Sequence, residues 1–242
     1  MAGLIDLHNH ALFGVDDGAD SMDTCIRMLE LAYVQGTRAI CFTPHYNPSA
    51  YSANATDVYA AYEKICAVSS RKFPDLALVL GNEIYAYPGS IADTSEGKCR
   101  TLGNGRTVLV EFSPHVGYRE MRNRFLDFIT AGYAPVLAHA ERYACLLKHP
   151  ERVKELVDMR VLIQVNAETV VHLVPLYAHR FAHGLLAKRL VHVVASDMHT
   201  ERDVGDFARA HRKVSRKYGK EYAKQLFYSN PKRILLQNRE KE

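Results

Sequence analysis

Leu4-Ile5-Asp6-Leu7-His8-Asn9-His10 is an apolar run that ends in two histidines one residue apart. Alternate residues of an extended strand point to the same side, so His8 and His10 can grip one ion. The same plan recurs along the chain. Strands are predicted over residues 4–8, 38–42, 76–82, 107–112, 134–139, 161–166 and 190–196. Most are rich in Val, Ile and Leu on both faces, as strands covered on both sides must be.

Helical patterns fall between these runs. Residues 21–35 place Cys25, Met28, Leu29 and Ala32 on one face, and Gly36 follows as a stop. Further helices are predicted over 56–70, 118–131 (Gly132 ends it) and 150–159. Residues 168–188 read as helical or broken, because Pro175 interrupts them. Helices over 203–218 and 220–227, and a short one from Pro231, close the chain. Strands alternating with helices make βα units. The expected fold is α/β: a distorted (β/α)7 barrel with additional C-terminal helices, one domain over residues 1–242. A doubly wound open sheet is the alternative, since strand order is not written in the sequence.

The polar residues sit at the strand ends. The first strand runs into His8 and His10, the second into Thr43-Pro44-His45. The third ends at Glu83, the fourth at Glu111, the fifth at His139, and the last at Ser196-Asp197-Met198-His199. In βα barrels the C-terminal strand ends converge on one mouth. Six of the seven strands thus deliver a candidate ligand to one place, and the remaining one delivers Asn166. One histidine at a strand end is more often a hydrogen-bonded structural residue. Six such ends are not, because buried charged groups are costly unless paired or metal-bound. Mixed imidazole and carboxylate donors suit Mn, Fe, Zn or Mg.

Bulk properties narrow the class. The 242 residues, 48% hydrophobic and 24% charged, are ordinary for a globular protein with a sizeable core. MAGLIDLHNH lacks a basic segment followed by an apolar run, which argues against a signal peptide. No stretch approaches the ~18 apolar residues of a membrane span, so a cytoplasmic location without membrane insertion is expected. The five cysteines (Cys25, Cys41, Cys66, Cys99, Cys145) are scattered, lack zinc-finger spacing, and read as reduced thiols. The net charge of +4 suits an anionic substrate. A nucleic-acid binder would show a stronger, clustered excess, so no nucleic-acid partner is expected.

Cysteine-based phosphatase chemistry needs an Arg six residues after the nucleophile. Those positions hold Leu31, Asn47, Lys72, Gly105 and Glu151. No phosphate-loop or dinucleotide fingerprint occurs either. His115, His149, His172, His179, His183, His192 and His211 lie outside the strand-end motifs and read as structural or surface residues, with His115 the nearest to the mouth. The basic run Arg209, Arg212, Lys213, Arg216, Lys217 and Lys220 could meet an acidic tail or a membrane surface, but reads first as a solvated helix face. Tyr46, Tyr51, Tyr85 and Tyr143 could stack on a substrate ring, although packing explains most tyrosines.

In order along the chain stand DLHNH (6–10), GVDDGA (14–19), FTPHY (42–46), GNEI (81–84), VEFS (110–113), AHAERY (138–143) and VASDMH (194–199). This series resembles the polymerase-and-histidinol-phosphatase (PHP) superfamily. It is most similar to the manganese-dependent bacterial protein tyrosine phosphatases of the CpsB/CapC type, linked to capsule and exopolysaccharide synthesis. The resemblance runs from His8 to Asn230-Pro231-Lys232-Arg233-Ile234-Leu235. DLHNH alone marks only the superfamily; DDGA, AHAERY and VHVVASDMH together are much more specific.

The resemblance implies up to three ions, Mn2+ foremost. His8, His10, Glu83 and Asp197 would hold the first. Glu83 would bridge to a second, held also by Glu111 and His139. Asp17, His45 and His199 would hold the third, Asp16 being the neighbour of the matching position. Arg142 would clamp phosphate, and Arg202 would be a further phosphate contact. There the chain departs from the family pattern, with Asp203-Val204 where prolines are usual. Bound ions of this kind neutralise a phosphate dianion and make a bridging hydroxide available near neutral pH.

The activity implied is hydrolysis of protein phosphotyrosine, on the autophosphorylated tail of a bacterial tyrosine kinase that regulates polysaccharide synthesis, with inorganic phosphate as product. Glu111 and Asp17 stand where other superfamily branches often use His, which favours this over histidinol phosphate as substrate. A non-catalytic metal-bound regulatory module is the remaining alternative, against which the intact donor set and Arg142 argue.

Overall fold

Strands β1 (Leu4–Asp6), β2 (Thr37–Phe42), β3 (His45–Tyr46), β4 (Ala77–Leu80), β5 (Glu83–Tyr85), β6 (Thr107–Glu111), β7 (Ala134–Leu137), β8 (Leu162–Asn166) and β9 (Val193–Ala195) all pair in parallel. They belong to a computed structural model that describes residues 3–51, 53–173 and 175–236. Met1, Ala2 and residues 237–242, which the single-domain expectation includes, lie outside the described residues.

Two strands are each in two pieces. β2 and β3 are separated at Thr43-Pro44, where Pro44 has no N–H to give to a ladder. β4 and β5 are separated at Gly81-Asn82. Gly81 N still donates to Phe42 O (2.8 Å) and Glu83 N to Pro44 O (3.2 Å), so the pieces stay side by side. Seven strands therefore result, as expected. The predicted strand over 76–82 does not stop at Glu83; a second piece begins there.

The strand order is β1-β2-β4 in one sheet and β3-β5-β6-β7-β8-β9 in the other. Beyond β1 and β9 the two segments stay side by side. Asp197 N donates to His8 O (2.8 Å), His10 N donates to Met198 O (2.9 Å), and Asn9 and Met198 form a parallel bridge. First and last strands thus meet. The curled parallel sheet is a distorted barrel and not an open doubly wound sheet.

Alternate strand residues fill its inside. Ile5, Leu7, Cys41, Leu109, Val136, Ala138, Val193 and Ala195 form one buried cluster, joined by Leu102 and Ile234. Ile234 belongs to the last helix, α11 (Asn230–Leu236), so the extra C-terminal helices help to fill one end of the barrel.

The outer strand faces carry the helices. α1 (Met22–Val34) is capped by the Ser21 side chain, which accepts from Thr24 N, and it buries Cys25, Met28, Leu29 and Ala32. Met28 and Leu29, both fully buried, each contribute about 1.5–3 kcal/mol of transfer free energy. The chain leaves it through Gly36 at φ +101°. α2 (Ala55–Lys72) starts in a capping box of Asn54 and Asp57. α4 (Tyr118–Thr130), α6 (Glu151–Asp158), α7 (Ala167–Val171), α8 (Leu176–Ala187) and α9 (Val204–Tyr218) complete the coat. Pro175 separates α7 from α8, as its ring requires.

Three features depart from expectation. α3 (Ser90–Ser95) and α5 (Ala144–Leu147) are short elements without a periodic signal. The helix predicted over 220–227 becomes α10 (Lys220–Lys224) followed by a π-helical turn, Gln225–Ser229, leading straight into α11. No described helix is long and apolar enough to cross a membrane.

Candidate metal centre

The ends of the strands build the site. Asp6 anchors the first of them: its buried carboxylate accepts from Ser196 N (2.9 Å) and Ser196 Oγ (2.6 Å), tying β1 to β9. Burial pushes its pKa up to about 6 against those bonds. From there the extended chain aims His8 and His10 at a common point, with Nε2 atoms 3.3 Å apart. Glu83 Oε2 lies 3.2 Å from His8 Nε2 and 3.4 Å from His10 Nε2. Asp197 Oδ1 lies 3.3 and 3.5 Å from the same two nitrogens.

A second set sits beside it. His45 Nδ1 is 3.1 Å from both Glu83 Oε2 and Glu111 Oε1. His139 Nε2 is 2.8 Å from Glu83 Oε1 and 4.0 Å from Glu111 Oε2. A third set is the most open. Asp17 Oδ1 is 3.6 Å from His45 Nε2 and 3.5 Å from His199 Nε2, and the Asp17 side chain is 54% exposed.

All nine expected donors are therefore neighbours. Their closest groupings are His8, His10 and Asp197; His45, Glu83 and Glu111; and His10, Asp17, His45 and His199. The partition differs from the resemblance: Glu83 groups with His45 and Glu111, and His10 also joins the outer set. His45 stands between the second and third sets, and His139 touches the second only through Glu83.

Do these residues fit cations? Glu83 Oε2 and His45 Nδ1 are buried and face each other at 3.1 Å, yet neither completes a directed hydrogen bond. Such orphaned atoms are rare unless something else meets them. Burial alone would raise the Glu83 and Asp197 carboxyls, but the facing histidines outweigh it and hold both well below the usual carboxylate range. Burial alone would lower His8, but Glu83 and Asp197 outweigh it and raise it. His10 is raised well above its usual value by Asp16, Asp197 and Glu83 against the same burial. The histidines and carboxylates thus favour each other's charged forms, and the same carboxylates would favour a bound cation. The donors are imidazole nitrogen and carboxylate oxygen with no thiolate, which suits Mn, Fe, Zn or Mg and does not choose among them.

Further residues aim the donors. Asp16 Oδ2 accepts from His10 Nδ1 (2.7 Å) and from His45 N (3.0 Å). With its Nδ1 proton given to a carboxylate, His10 presents Nε2 as the free donor. Gln164 Oε1 accepts hydrogen bonds from His8 Nδ1 (3.2 Å) and His139 N (2.6 Å). Its amide donates to Asn166 Oδ1 (2.7 Å), and Asn166 Nδ2 donates to Asp197 Oδ2 (2.6 Å). Sequence reasoning passed over Gln164. Its signal was present: it alternates with Asn166 on one face of an otherwise apolar strand. His139 (φ +31°) and Asp197 (φ +53°) both take left-handed backbone. Non-glycine residues adopt it at a cost of about 1–3 kcal/mol, and functional sites collect such strain.

A cavity of about 460 Å³ opens over the donors. Asp17, His45, Glu83, Glu111, Asp197 and His199 line it, together with Arg142, Tyr51, Tyr85, Phe112, Ser113 and Pro114. Arg142 arrives on the 3-10 turn Ala140–Arg142. Arg202 does not line this cavity; it is exposed in the turn before α9.

The tyrosines divide. Tyr51 and Tyr85 line the cavity. Tyr51 stacks on His45 with ring centroids 4.8 Å apart, and burial with Asp17 nearby pushes its phenol up to about 12, so it stays a donor. Tyr143 is fully buried and no ring-stacking surface; its oxygen accepts from Phe112 N (3.2 Å) and meets His139 Nδ1 (3.3 Å). Tyr46 gives its hydroxyl to Asp93. His115 is exposed and outside the cavity lining. His179 and His183 are buried against backbone carbonyls of Thr169 and Val170, as structural histidines should be. Cys25, Cys41 and Cys99 are buried, with thiols that burial pushes up and away from reactivity.

A parallel barrel with imidazoles, carboxylates and one arginine at a single mouth is the scaffold of a metal-site hydrolase. The chain belongs to the capsular polysaccharide synthesis CpsB/CapC family, whose model matches residues 4–236. It is 32% identical over 241 residues to tyrosine-protein phosphatase CpsB of Streptococcus pneumoniae, covering 96% of this chain and 98% of that protein. It is 29% identical to tyrosine-protein phosphatase YwqE of Bacillus subtilis (strain 168), covering 81% and 77%. Among solved structures, one of YwqE from Bacillus subtilis and CpsB from Streptococcus pneumoniae, described as unique metal-dependent tyrosine phosphatases, aligns with a TM-score of 0.88. The identity there is 27%, over 97% of this chain and 95% of that one. Histidinol phosphate phosphatase from Lactococcus lactis, at a TM-score of 0.57 and 16% identity over 88% of this chain and 94% of that one, shares the fold alone.

Proposed function

We propose that the protein is a metal-dependent protein tyrosine phosphatase. The observation that carries this reading is the nine-donor cluster, with buried Glu83 Oε2 and His45 Nδ1 facing each other but not hydrogen-bonded, opening beside Arg142 into one cavity. His8, His10, Glu83 and Asp197 would hold one ion, Glu83, Glu111 and His139 a second, and Asp17, His45 and His199 a third. Mn2+ is proposed, with Fe, Zn or Mg as substitutes. Such ions, when bound, supply charge neutralisation at phosphate and a water acidified to the neutral range.

The chain's own residues do the rest. Arg142 offers a planar fork of N–H groups to two phosphate oxygens. Arg202, exposed in the turn after His199, is proposed as a further phosphate contact. Tyr51, Tyr85 and Phe112 give the aryl ring apolar walls. Asp17, open to solvent at the mouth, would serve both as ligand and as a catalytic carboxylate. The leaving tyrosinate has a pKa of about 10, so it departs with modest help.

The substrate would be a phosphotyrosine in an exposed, flexible segment. We place it in the tail of a bacterial tyrosine kinase that regulates capsular or exopolysaccharide synthesis, in the cytoplasm, with inorganic phosphate as the other product. The family membership and the names of the relatives support this placement. The mild charge supports no nucleic-acid role.

The test is hydrolysis by metal-stripped protein with and without Mn2+, on a phosphotyrosine peptide and on histidinol phosphate. Mn2+-dependent release from the peptide is expected. Release from histidinol phosphate alone would overturn the substrate, and inertness toward both would overturn the catalytic reading.

A further inference from the structure

The buried donors of the centre are each aimed by a neighbour: His10 by Asp16, His8 by Gln164, Asp197 by Asn166. In the outer group Asp16 also supports His10 and His45, and His199 Nδ1 meets Asp197 O (3.0 Å), which leaves Asp17. Asp17 is the most open donor, and it comes from a loop between β1 and α1, not from a strand. What holds it?

After β3 the chain makes a tight turn. Ala50 N and Tyr51 N both donate to Asn47 O (2.9 and 3.0 Å), and Ser49 N donates to the Asn47 side chain (3.1 Å). This turn returns Tyr51 over the mouth. Its hydroxyl donates to Asp17 Oδ2 at 3.1 Å. That is the oxygen turned away from the cluster, because Asp17 Oδ1 is the one that faces His45 and His199 at 3.6 and 3.5 Å. The same Tyr51 ring lies flat on His45, centroids 4.8 Å apart and planes 12° from parallel. One side chain therefore fixes the rotation of a carboxylate and the plane of an imidazole at once. Both belong to the same donor group, with His199 and His10.

We infer that Tyr51 is a positioning residue for the outermost metal ion, holding Asp17 Oδ1 and the His45 ring toward a common point without being a ligand itself. The inference rests on the metal-centre reading above. Asp17 and Tyr51 lie on two different loops, one after β1 and one after β3. Without the bond between them a half-exposed carboxylate would sample several rotamers, and each ion bound would have to order it. Holding it beforehand removes that entropy from the binding step. The inner donors are already held by buried partners, so the effect of Tyr51 concentrates on the outermost ion.

Two variants separate its parts. Tyr51→Phe keeps the ring on His45 and loses the bond to Asp17. Tyr51→Ala loses both. Metal-stripped wild type and variants are titrated with Mn2+ by calorimetry, and bound manganese is counted after gel filtration.

The expected result is that Tyr51→Ala weakens the last-filling site by about 10–100-fold, the range for removing a group that orients a ligand. Tyr51→Phe should fall between it and wild type, with the tighter sites unchanged in both. Wild-type isotherms in both variants would overturn the inference while leaving the metal centre standing. So would an equal weakening of every site together with a lowered melting temperature of the stripped variants, since that marks a structural role. A wild-type protein that binds no Mn2+ would overturn the metal-centre reading itself.

Discussion

Arg142 Nη2 stands 2.8 Å from Asp197 Oδ2, while the other oxygen of Asp197 faces His8 and His10. One buried carboxylate thus links the donor cluster to the cation at the mouth. Its Oδ2 also accepts from Asn166, so Asp197 is itself fixed. Arg142 is held at the mouth before any substrate arrives, which is how a site avoids reorganising during reaction.

Arg142→Ala should therefore keep bound metal and lose activity by about 10²–10³-fold, the range for removing one preorganised donor from a charged transition state. Arg142→Lys should recover only part, because an ammonium is not a planar fork. The check is kcat/KM on a phosphotyrosine peptide beside metal content. A fully active Arg142→Ala protein would end the phosphate-clamp assignment.

Asp16→Asn should weaken Mn2+ binding by about 10–100-fold. Asp16 Oδ2 accepts from His10 Nδ1 and His45 N, and Asp16 Oδ1 accepts from Gly18 N. Both oxygens therefore face donors, and an amide must turn its NH2 toward one of them. Titration of the stripped variant with Mn2+ reads the effect; unchanged affinity would mean that Asp16 orients nothing.

Removing metal should reverse the pH dependence of stability. In the stripped protein, burial disfavours the charged His8 and His10, but their carboxylate neighbours outweigh it and raise both. A raised folded-state pKa gives stability that is complete below the unfolded value of about 6.5 and is lost as pH climbs through the folded values. Glu83 and Asp197 are depressed, so their contribution is present above about pH 4 and is lost only as pH falls through their lowered folded values. The stripped protein should lose melting temperature on going from about pH 6 to pH 8. Metal binding expels the same protons and tightens with pH. The gap in melting temperature between loaded and stripped protein should therefore widen over that range. A stripped protein that grows steadily more stable toward pH 8 would contradict this.

Tyr143→Phe should destabilise by about 1–3 kcal/mol, because Phe112 N would be left buried and unpaired. It should slow phosphotyrosine and alkyl phosphate substrates alike, since Tyr143 reaches the site only through His139. Denaturation and parallel assays of the two substrates check it. A loss confined to aryl substrates would restore Tyr143 as a ring-binding wall.

The fold was legible because a parallel strand covered on both faces reads as a continuous apolar run, and a polar residue at its end stands out. That is how Glu111, His139 and Asp197 could be placed from sequence. What shares a coordination point was less legible. His45 pairs in register with Glu83 only because both strands break and restart, at Pro44 and Asn82. That register, not spacing along the chain, puts His45 against Glu83 and Glu111. The direction of Tyr143 was hidden for a similar reason. The left-handed backbone of His139 and the 3-10 turn after it send Arg142 to the mouth and Tyr143 to the core. Arg202 shows the limit of motif spacing: it follows His199 closely, yet lies outside the cavity lining.

The bond from Asp197 N to His8 O joins residues from opposite ends of the sequence. On the ribosome, His8, His10, Glu83 and His139 emerge well before the strand that carries Asp197 and His199. Until that strand docks against the first, His45, Glu83 and Glu111 can share a point, but the sets that need Asp197 or His199 are incomplete. Ring closure is a long-range contact and comes late in folding. The pocket, whose lining includes both Glu83 and Asp197, is therefore complete only in a polypeptide that has closed on itself.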